Sequence, residues 1–399
     1  MAKKDISIEQ LRVGMFVAGL NVSWLKTPFF KHTMLIEDEL QIVTLKNCGA
    51  TVITIDTEKC VQISNQDQPA EKGTAPSVSE KLKTTSLSKE LDTAKQIKES
   101  TKKIMRVLFS MAQDGGVPKA EMVSSFIVQT MDSLSRNSQA IINLFFSKNQ
   151  PTKLYNHAFN VMSMSLLVAQ KLGYSKEDQQ RIGFVALLMD IGWTNLPEKL
   201  FVFQSAYTDD EYDLVKKHVD YSLLLIEKGD FDPEIHQAIA QHHERYNGSG
   251  YPAGLSGEQI HPMSRIVSMI DHFDGATNGY YDRMPMIPAR GLQEIYRKSI
   301  LLSHEPSLVE LLVRLVGIFP PSSAVLLNTG ERGVVTQVNW RAPLAPKVKI
   351  FYNKKLMPLL RPIEVDLAKQ EGEETVREIK SLIDLTLPKQ DPAGLLNGE

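Results

Sequence analysis

The 399-residue sequence contains only two cysteines, no long apolar run and almost no net charge. Two cysteines, Cys48 and Cys60, exclude a disulfide framework or a cysteine-rich metal site and are typical of a reducing compartment. A net charge of −2 without a basic, aromatic-interleaved stripe argues against a nucleic acid polymer as the main partner. No stretch approaches 18 apolar residues, and residues 1–6 lack the apolar core of a signal peptide. We therefore expect a cytoplasmic protein without a membrane span.

The length of the chain and its apolar content of 42%, which is ordinary for globular proteins, predict several domains. Short alternating strands are expected near both ends, and long helical patterns between them. A segment rich in Ser, Thr, Lys, Gln and Pro follows the first strands and is typical of a flexible tether. The predicted division is 1–62, a small α/β domain; 63–95, a linker; 96–318, a helical domain; and 319–399, a β appendage with a tail.

The most informative stretch is residues 241–252, QHHERYNGSGYP. Two adjacent histidines, His242 and His243, end an apolar helical pattern, and a turn-forming segment follows them. At a helix end both imidazoles can lean toward one point and so share a metal ion or a close metal pair. A surface histidine pair before a loop is the alternative interpretation of these residues alone.

A second segment, residues 184–192 (FVALLMDIG), is an apolar helix with one carboxylate, Asp190, near its end. Burying an unpartnered carboxylate is costly, so Asp190 needs a partner, and a metal is a good candidate. Together the two segments resemble the HD-GYP family of metal-dependent phosphohydrolases, over about residues 120–315. Residues 11–15 (LRVGM) and 24–29 (WLKTPF) are similar to the small domain of unknown function that often precedes it.

The resemblance implies a mainly α protein with an HD-type helical bundle core and a metal site. Its metal ligands would be His157, Asp190, His218, His242, His243 and Asp271. Asp190 would also be the catalytic residue that bridges two metals. His218, His242 and His243 would complete one metal's ligands, and His157 and Asp271 would belong to the other. One or two divalent ions, iron or manganese, are expected, because imidazoles and carboxylates suit them.

The same resemblance implies cyclic di-GMP as ligand in a bacterial signalling protein, with a diguanylate cyclase partner and a homodimer as further expectations. The residues expected to bind substrate are Asn247, Gly250, Tyr251, Pro252 and Arg283. The other histidines are expected to have no role in the site, except that His272, beside Asp271, is a candidate donor to it.

The chain departs from the family pattern at the site itself. Met189 stands where the family has the histidine of its HD pair, and a thioether is a poor ligand for such ions. Trp193 replaces a lysine that would face phosphate, and Lys153 replaces a glutamate that some members use for a third metal. Asn247 replaces an aspartate, and Arg283 comes later than usual.

Three hypotheses remain. The first is hydrolysis of cyclic di-GMP at the metal site, impaired by these changes. The second is a catalytically silent module that binds cyclic di-GMP or a diguanylate cyclase and transmits a signal. The third, an HD hydrolase for another nucleotide, is disfavoured by the intact Gly250-Tyr251-Pro252.

Overall fold

The structure is a computed structural model that describes residues 3–20, 34–36, 42, 45–46, 51–57, 59–60, 85–147, 154–201, 207–279, 284–372 and 375–383. It divides into two compact units, residues 1–82 with 339–343 and residues 83–338 with 344–399. Among the residues discussed above, Lys153, Arg283, Cys48, residues 24–29 and most of the predicted linker lie outside the described part.

The first unit contains a four-stranded antiparallel sheet. Its strands are β1 (Lys3–Ser7), β2 (Phe16–Leu20), β3 (Met34–Leu35) and β4 (Val52–Asp56), in the order β1-β4-β2-β3. Ile6 pairs with Ile53 across β1 and β4, and both side chains are buried. Because side chains alternate along a strand, this register places the apolar side chains of one face of the sheet in a small core.

The second unit is mainly helical. Its helices are α1 (Leu87–Gln113), α2 (Glu121–Phe146), α3 (Leu154–Leu172), α4 (Lys176–Leu188), α5 (Asp209–Lys216), α6 (His218–Glu227), α7 (Pro233–Ala240), α8 (Pro262–Asn278), α9 (Pro288–Ile300) and α10 (Pro306–Val316). α3 lies in the centre, with an almost continuous buried sequence, and packs against α2, α4 and α8. The site described below lies where α3, α4, α6, α7 and α8 meet.

Helix α1 begins at Leu87, so it includes the last nine residues of the predicted linker. The buried carboxylate of Glu90 in its first turn accepts two hydrogen bonds from the guanidinium of Arg136 on α2, at 2.8 and 2.9 Å. This bidentate pair gives the start of α1 a partner that its polar composition does not reveal. The division of the chain into domains remains a prediction.

After α10 the chain forms a five-stranded antiparallel sheet. Its strands are β5 (Ala324–Leu327), β6 (Arg332–Gln337), β7 (Lys347–Tyr352), β8 (Pro358–Asp366) and β9 (Ile379–Leu382), in the order β8-β7-β6-β5-β9. Val325, Val335, Val348 and Ile350 form its buried core. The predicted architecture, a helical core with a small N-terminal sheet and a C-terminal β region, is confirmed.

Within the described ranges, no helix is both long enough and apolar enough to cross a membrane.

Candidate metal centre

Asp190 lies in a tight turn directly after α4. It precedes a short 3-10 helix, Ile191–Asn195, and its side chain is buried. Ser222 on α6 holds both sides of this turn: its hydroxyl donates to the carbonyl oxygen of Met189 at 2.6 Å and accepts from the backbone N–H of Gly192 at 2.9 Å. The carboxylate is therefore held from both flanks.

Gly192 allows α6 to approach this turn closely. A Cβ atom at this position would lie 2.1 Å from the carbonyl oxygen of His218 and 2.4 Å from the backbone nitrogen of Ser222. Those distances are far inside van der Waals contact, so a larger residue would push α6 away. The glycine thus brings His218 beside Asp190.

Two histidines are oriented by the same device. His218 donates from Nδ1 to the carbonyl oxygen of Val215 at 2.6 Å, and His242 donates from Nδ1 to the carbonyl oxygen of Ile239 at 2.6 Å. A carbonyl oxygen can only accept, so in both rings the proton is on Nδ1 and the Nε2 lone pair is exposed to the site. Such an outer hydrogen bond is the usual way in which a protein orients an imidazole ligand.

These lone pairs converge with a third imidazole. The Nε2 atom of His218 lies 3.2 Å from Nε2 of His242 and 3.1 Å from Nε2 of His243. Asp190 Oδ1 lies 3.3 Å from Nε2 of His218 and 3.9 Å from Nε2 of His242. We call these four residues the histidine half of the site.

The protonation states of the histidine half favour a cation. Burial lowers the pKa of His218 and that of His242 to about 4, and burial beside these two rings lowers the pKa of His243 well below its ordinary value. At neutral pH all three rings are uncharged. Since His218 and His242 carry their protons on Nδ1, their facing Nε2 atoms cannot hydrogen-bond to each other.

The donor set fits a divalent metal ion. One ligand atom from each of the four residues lies within 4.8 Å of all the others. Nitrogens bound at about 2.1 Å, with angles between about 90° and 109°, lie roughly 3.0–3.4 Å apart. The observed separations of 3.1 and 3.2 Å fall in that range. Three neutral imidazoles and one carboxylate are a chemically suitable set for iron, zinc or manganese.

A second cluster, which we call the aspartate half, is built around His157 on α3. Its Nε2 atom lies 3.4 Å from Asp190 Oδ2 and 3.2 Å from Asp271 Oδ1, and its Nδ1 donates to Asp274 Oδ2 at 2.7 Å. Burial alone would lower the pKa of His157, but the hydrogen bonds to Asp271 and Asp274 raise it well above its ordinary value. Burial alone would raise the pKa of Asp271, but His157 and other positive neighbours lower it.

Asp190 joins the two halves. Its Oδ1 atom faces His218 and His242, while its Oδ2 atom faces His157. Asp271 also reaches both, because its Oδ2 atom lies 3.8 Å from Nδ1 of His243. The structure thus brings together the six residues that the sequence predicts as metal ligands. Their role as ligands remains a prediction.

The GYP loop, residues 247–252, covers the histidine half. The ring of Tyr251 stacks on that of His243, with 4.7 Å between centroids and 25° between planes. Gly250 has no room for a side chain, because a Cβ atom there would lie 2.4 Å from the Cα atom of Glu244 and 2.5 Å from the carbonyl oxygen of His243. The loop is therefore fixed to the backbone that carries His243.

Glu244 anchors the far end of this loop. Its buried carboxylate accepts from the backbone N–H groups of Ala253 at 2.7 Å and Leu255 at 3.0 Å. Asn247 has an exposed side chain that accepts from Ser249 and donates to the carbonyl oxygen of Leu301 at 2.9 Å. No role was predicted for Glu244 from the sequence, although its position directly after the histidine pair could have indicated one.

The two departures at the HD pair both lie in the interior. Met189 and Trp193 are buried. The indole of Trp193 packs 5.5 Å from the imidazole of His218 and 5.8 Å from the ring of Phe201, measured between centroids. Trp193 therefore packs against the imidazole of His218 at the position where the family pattern has a lysine.

The remaining histidines give one unexpected pair. His272 Nδ1 lies 2.8 Å from His304 Nε2, and His304 is buried. His272 was expected only as a candidate donor to the site, and His304 was expected to have no role in it. These histidines are 32 positions apart, so periodicity could not reveal the contact.

Three family models match the chain. Residues 132–300 match an HD domain, residues 3–123 match a domain of unknown function (DUF3391), and residues 324–381 match a KOW domain associated with HD domains. The helices that carry the site all lie within the HD match.

Curated relatives are phosphodiesterases by name. A cyclic di-GMP phosphodiesterase of Pseudomonas aeruginosa is 26% identical over 92% of this chain and 89% of its own length. A cyclic di-GMP phosphodiesterase response regulator of Xanthomonas campestris is 39% identical over 27% of this chain and 29% of its own. A cyclic di-GMP phosphodiesterase of Thermotoga maritima is 29% identical over 44% of this chain and 48% of its own.

The fold and the site define an HD domain protein whose class is metal-dependent. Within that class, the chain resembles the HD-GYP proteins and carries a DUF3391 domain before its helical core.

Proposed function

We propose that this protein is a cyclic di-GMP phosphodiesterase whose turnover is reduced by its altered site. The observation that carries the proposal is the convergence of three neutral imidazoles, with Nε2 separations of 3.1 and 3.2 Å, beside a carboxylate shared with a second cluster. We infer the identity of the substrate from the relatives, three of which are named cyclic di-GMP phosphodiesterases.

The residues divide the work as follows. His218, His242 and His243 with Asp190 would hold one divalent ion, and Asp190 with His157 and Asp271 would hold a second. Such ions supply charge neutralisation on the phosphoryl oxygens and a nucleophile from water at neutral pH. Asp190 sets the geometry because its two oxygens face different halves, and Asp274 holds His157 by its other ring nitrogen.

The GYP loop would form part of the nucleotide pocket. Tyr251 presents an aromatic ring over His243, which suits stacking against a base or closing the site. We propose Asn247, Gly250, Tyr251 and Pro252 as substrate-binding residues, together with Arg283. The hydrogen bonds of Asn247 with Ser249 and with the carbonyl oxygen of Leu301 fix the loop that would receive the ligand.

Met189 and Trp193 are the proposed cause of reduced turnover. A thioether is a poor ligand for ions that also bind carboxylates. The aspartate half therefore has one suitable donor fewer than the same half of the site in the family pattern. The lysine position holds a buried indole and supplies no positive charge. Loss even of an outer ligand contact typically costs about 10–100-fold in metal affinity or activity.

A second candidate function is a silent module that binds cyclic di-GMP or a diguanylate cyclase. The observation that favours it is the packing of Trp193 against His218. A packed indole thus stands at the position where the family pattern has a phosphate-facing lysine.

The experiment is cyclic di-GMP turnover by protein loaded anaerobically with iron or manganese, beside Asp190→Ala and Met189→His. We expect slow native turnover that disappears in Asp190→Ala and rises in Met189→His. Turnover in Met189→His alone would favour the silent module, with binding of unhydrolysed cyclic di-GMP to the native protein as its positive test. Absence of turnover in both would reject the enzyme.

A further inference from the structure

A buried lysine on α1 lies beneath the aspartate half. Lys98 is only 4% exposed, and its Nζ atom donates to Asn160 Oδ1 at 3.4 Å. The same ammonium lies 5.6 Å from the ring centroid of Phe159, within cation–π range. Burying a charged group is expensive unless the interior compensates it, so this lysine requires a nearby negative charge.

The compensating charge lies one hydrogen bond further on. Asn160 donates from Nδ2 to Asp274 Oδ1 at 2.8 Å, and Asp274 Oδ2 accepts from His157 Nδ1 at 2.7 Å. The side-chain amide of Asn160 thus accepts a hydrogen bond from Lys98 through its oxygen and donates one to Asp274 through its nitrogen. Lys98, Asn160, Asp274 and His157 form one continuous path from α1 to the aspartate half.

The charge balance agrees with this path. The aspartate half brings the carboxylates of Asp190, Asp271 and Asp274 close to a single imidazole, all of them largely buried. Burial lowers the pKa of Lys98 to about 8, and the negative charge of Asp274 opposes that shift. An ammonium is therefore the prevailing form of Lys98 at neutral pH.

We propose that Lys98 is a positioning residue for the metal site: through Asn160 it fixes the Asp274 carboxylate, which in turn orients His157 for a metal ion in the aspartate half. This inference rests on the proposed metal-dependent function. Lys98 lies within the segment that matches DUF3391, whereas its partners lie within the HD match. A residue of α1 thereby takes part in the site of the domain that follows it.

The test compares two lysines of the same helix. Lys98→Met removes the charge with a side chain of similar length, and Lys95→Met makes the same change at an exposed position one turn earlier. In the full chain we expect Lys98→Met to weaken binding of the Mn²⁺ ion of the aspartate half, the weaker of the two ions, by about tenfold, the scale of lost outer contacts to a ligand. Lys95→Met should bind as the native protein does. Binding is measured by titration, and the EPR spectrum of bound Mn²⁺ reports a changed ligand geometry.

A double-mutant cycle separates positioning from general damage. Because Lys98 acts through Asp274, Lys98→Met should add little to the affinity loss of Asp274→Asn. Equal, additive losses in both backgrounds would overturn the proposal, and so would native Mn²⁺ affinity in Lys98→Met. Absence of Mn²⁺ binding by the native protein would instead reject the proposed function itself.

A second variant keeps the test decisive if Lys98→Met does not fold. Asn160→Ala breaks the same path at its middle residue. We expect the same tenfold scale of loss, and native affinity in folded Asn160→Ala would overturn the path.

Discussion

The two halves of the site satisfy their charges in opposite ways. In the histidine half, the Nε2 lone pairs of the neutral His218 and His242 rings face each other across 3.2 Å, and Nε2 of the neutral His243 ring lies 3.1 Å from Nε2 of His218. In the aspartate half, a histidine with a raised pKa lies among three carboxylates that can neutralise it. A cation would relieve the first arrangement, whereas the second is already balanced by ion pairs.

We expect the Met189 substitution to act on the aspartate half. By family pattern, the missing histidine belongs to the aspartate half, and Trp193 supports His218 in the other half from behind. We therefore expect the histidine half to retain strong metal binding and the aspartate half to bind weakly.

The largest effect should come from Asp190→Ala, because this carboxylate faces both halves. We expect Mn²⁺ affinity to fall by at least about a hundredfold for every bound ion, since a shared ligand and its charge are both lost. Metal content after dialysis measures this, with Asp190→Asn as the isosteric control for charge. One ion retained at native affinity would show that Asp190 is not shared.

The next contrast is between His242→Ala and His157→Ala. His242 belongs to the half with unprotonated, facing nitrogens, so its loss should weaken the tightest ion by roughly a hundredfold. His157→Ala should weaken that ion by about tenfold or less. Parallel Mn²⁺ titrations compare the two. The reverse ranking would assign tight binding to the aspartate half.

Met189→His should strengthen the weaker half. A restored imidazole ligand next to Asp190 is expected to raise the affinity of the second ion by about 10–100-fold, the usual scale for such contacts. Stoichiometry at fixed Mn²⁺ concentration measures the gain, and Met189→Leu controls for the loss of the thioether. An unchanged affinity for the second ion would mean that another group already replaces the histidine as a ligand.

Gly250→Ala should disturb the GYP loop without removing a ligand. The new methyl group would collide with the backbone around Glu244, so we expect a loss of about 1–3 kcal/mol in the free energy of unfolding. Chemical denaturation measures it. Gly173→Ala, with open space around its Cβ position but φ of +80°, should cost only about 1 kcal/mol. Equal losses would contradict the steric account.

A further effect is a pH dependence of the stability of the metal-free protein. Burial lowers the folded-state pKa of His242 to about 4, while histidines in an unfolded chain titrate near about 6.5. Between these values the unfolded chain binds the extra proton, so acidification from about pH 6.5 to 4 destabilises the fold. His242→Gln should reduce that loss by on the order of 2 kcal/mol. Identical pH profiles for the native protein and His242→Gln would contradict the lowered pKa.

The sequence predicted the architecture and the order of the clustered residues, because each lies in a short, recognisable pattern. His242 and His243 precede a turn signal, and Asp190 ends an apolar helix. Contacts between distant segments were not predictable. The path from Lys98 spans 62 positions to Asn160 and 114 more to Asp274, and hydrophobic periodicity carries no signal for such polar pairs.

The roles of Trp193 and Glu244 were also not predictable. Comparison with the family pattern identified Trp193 only as a lost lysine, whereas its contact with His218 depends on how α6 approaches the turn at Gly192. Glu244 was visible in the motif, but its partners are backbone N–H groups nine and eleven residues on, whose direction depends on the loop conformation.

The most direct test is a crystal structure of the native protein with Mn²⁺, read by anomalous scattering. We expect a strong peak among Nε2 of His218, His242 and His243 and Oδ1 of Asp190, with a weaker peak beside His157. A strong peak only beside His157 and Asp271, or no peak at the three imidazoles, would contradict this expectation.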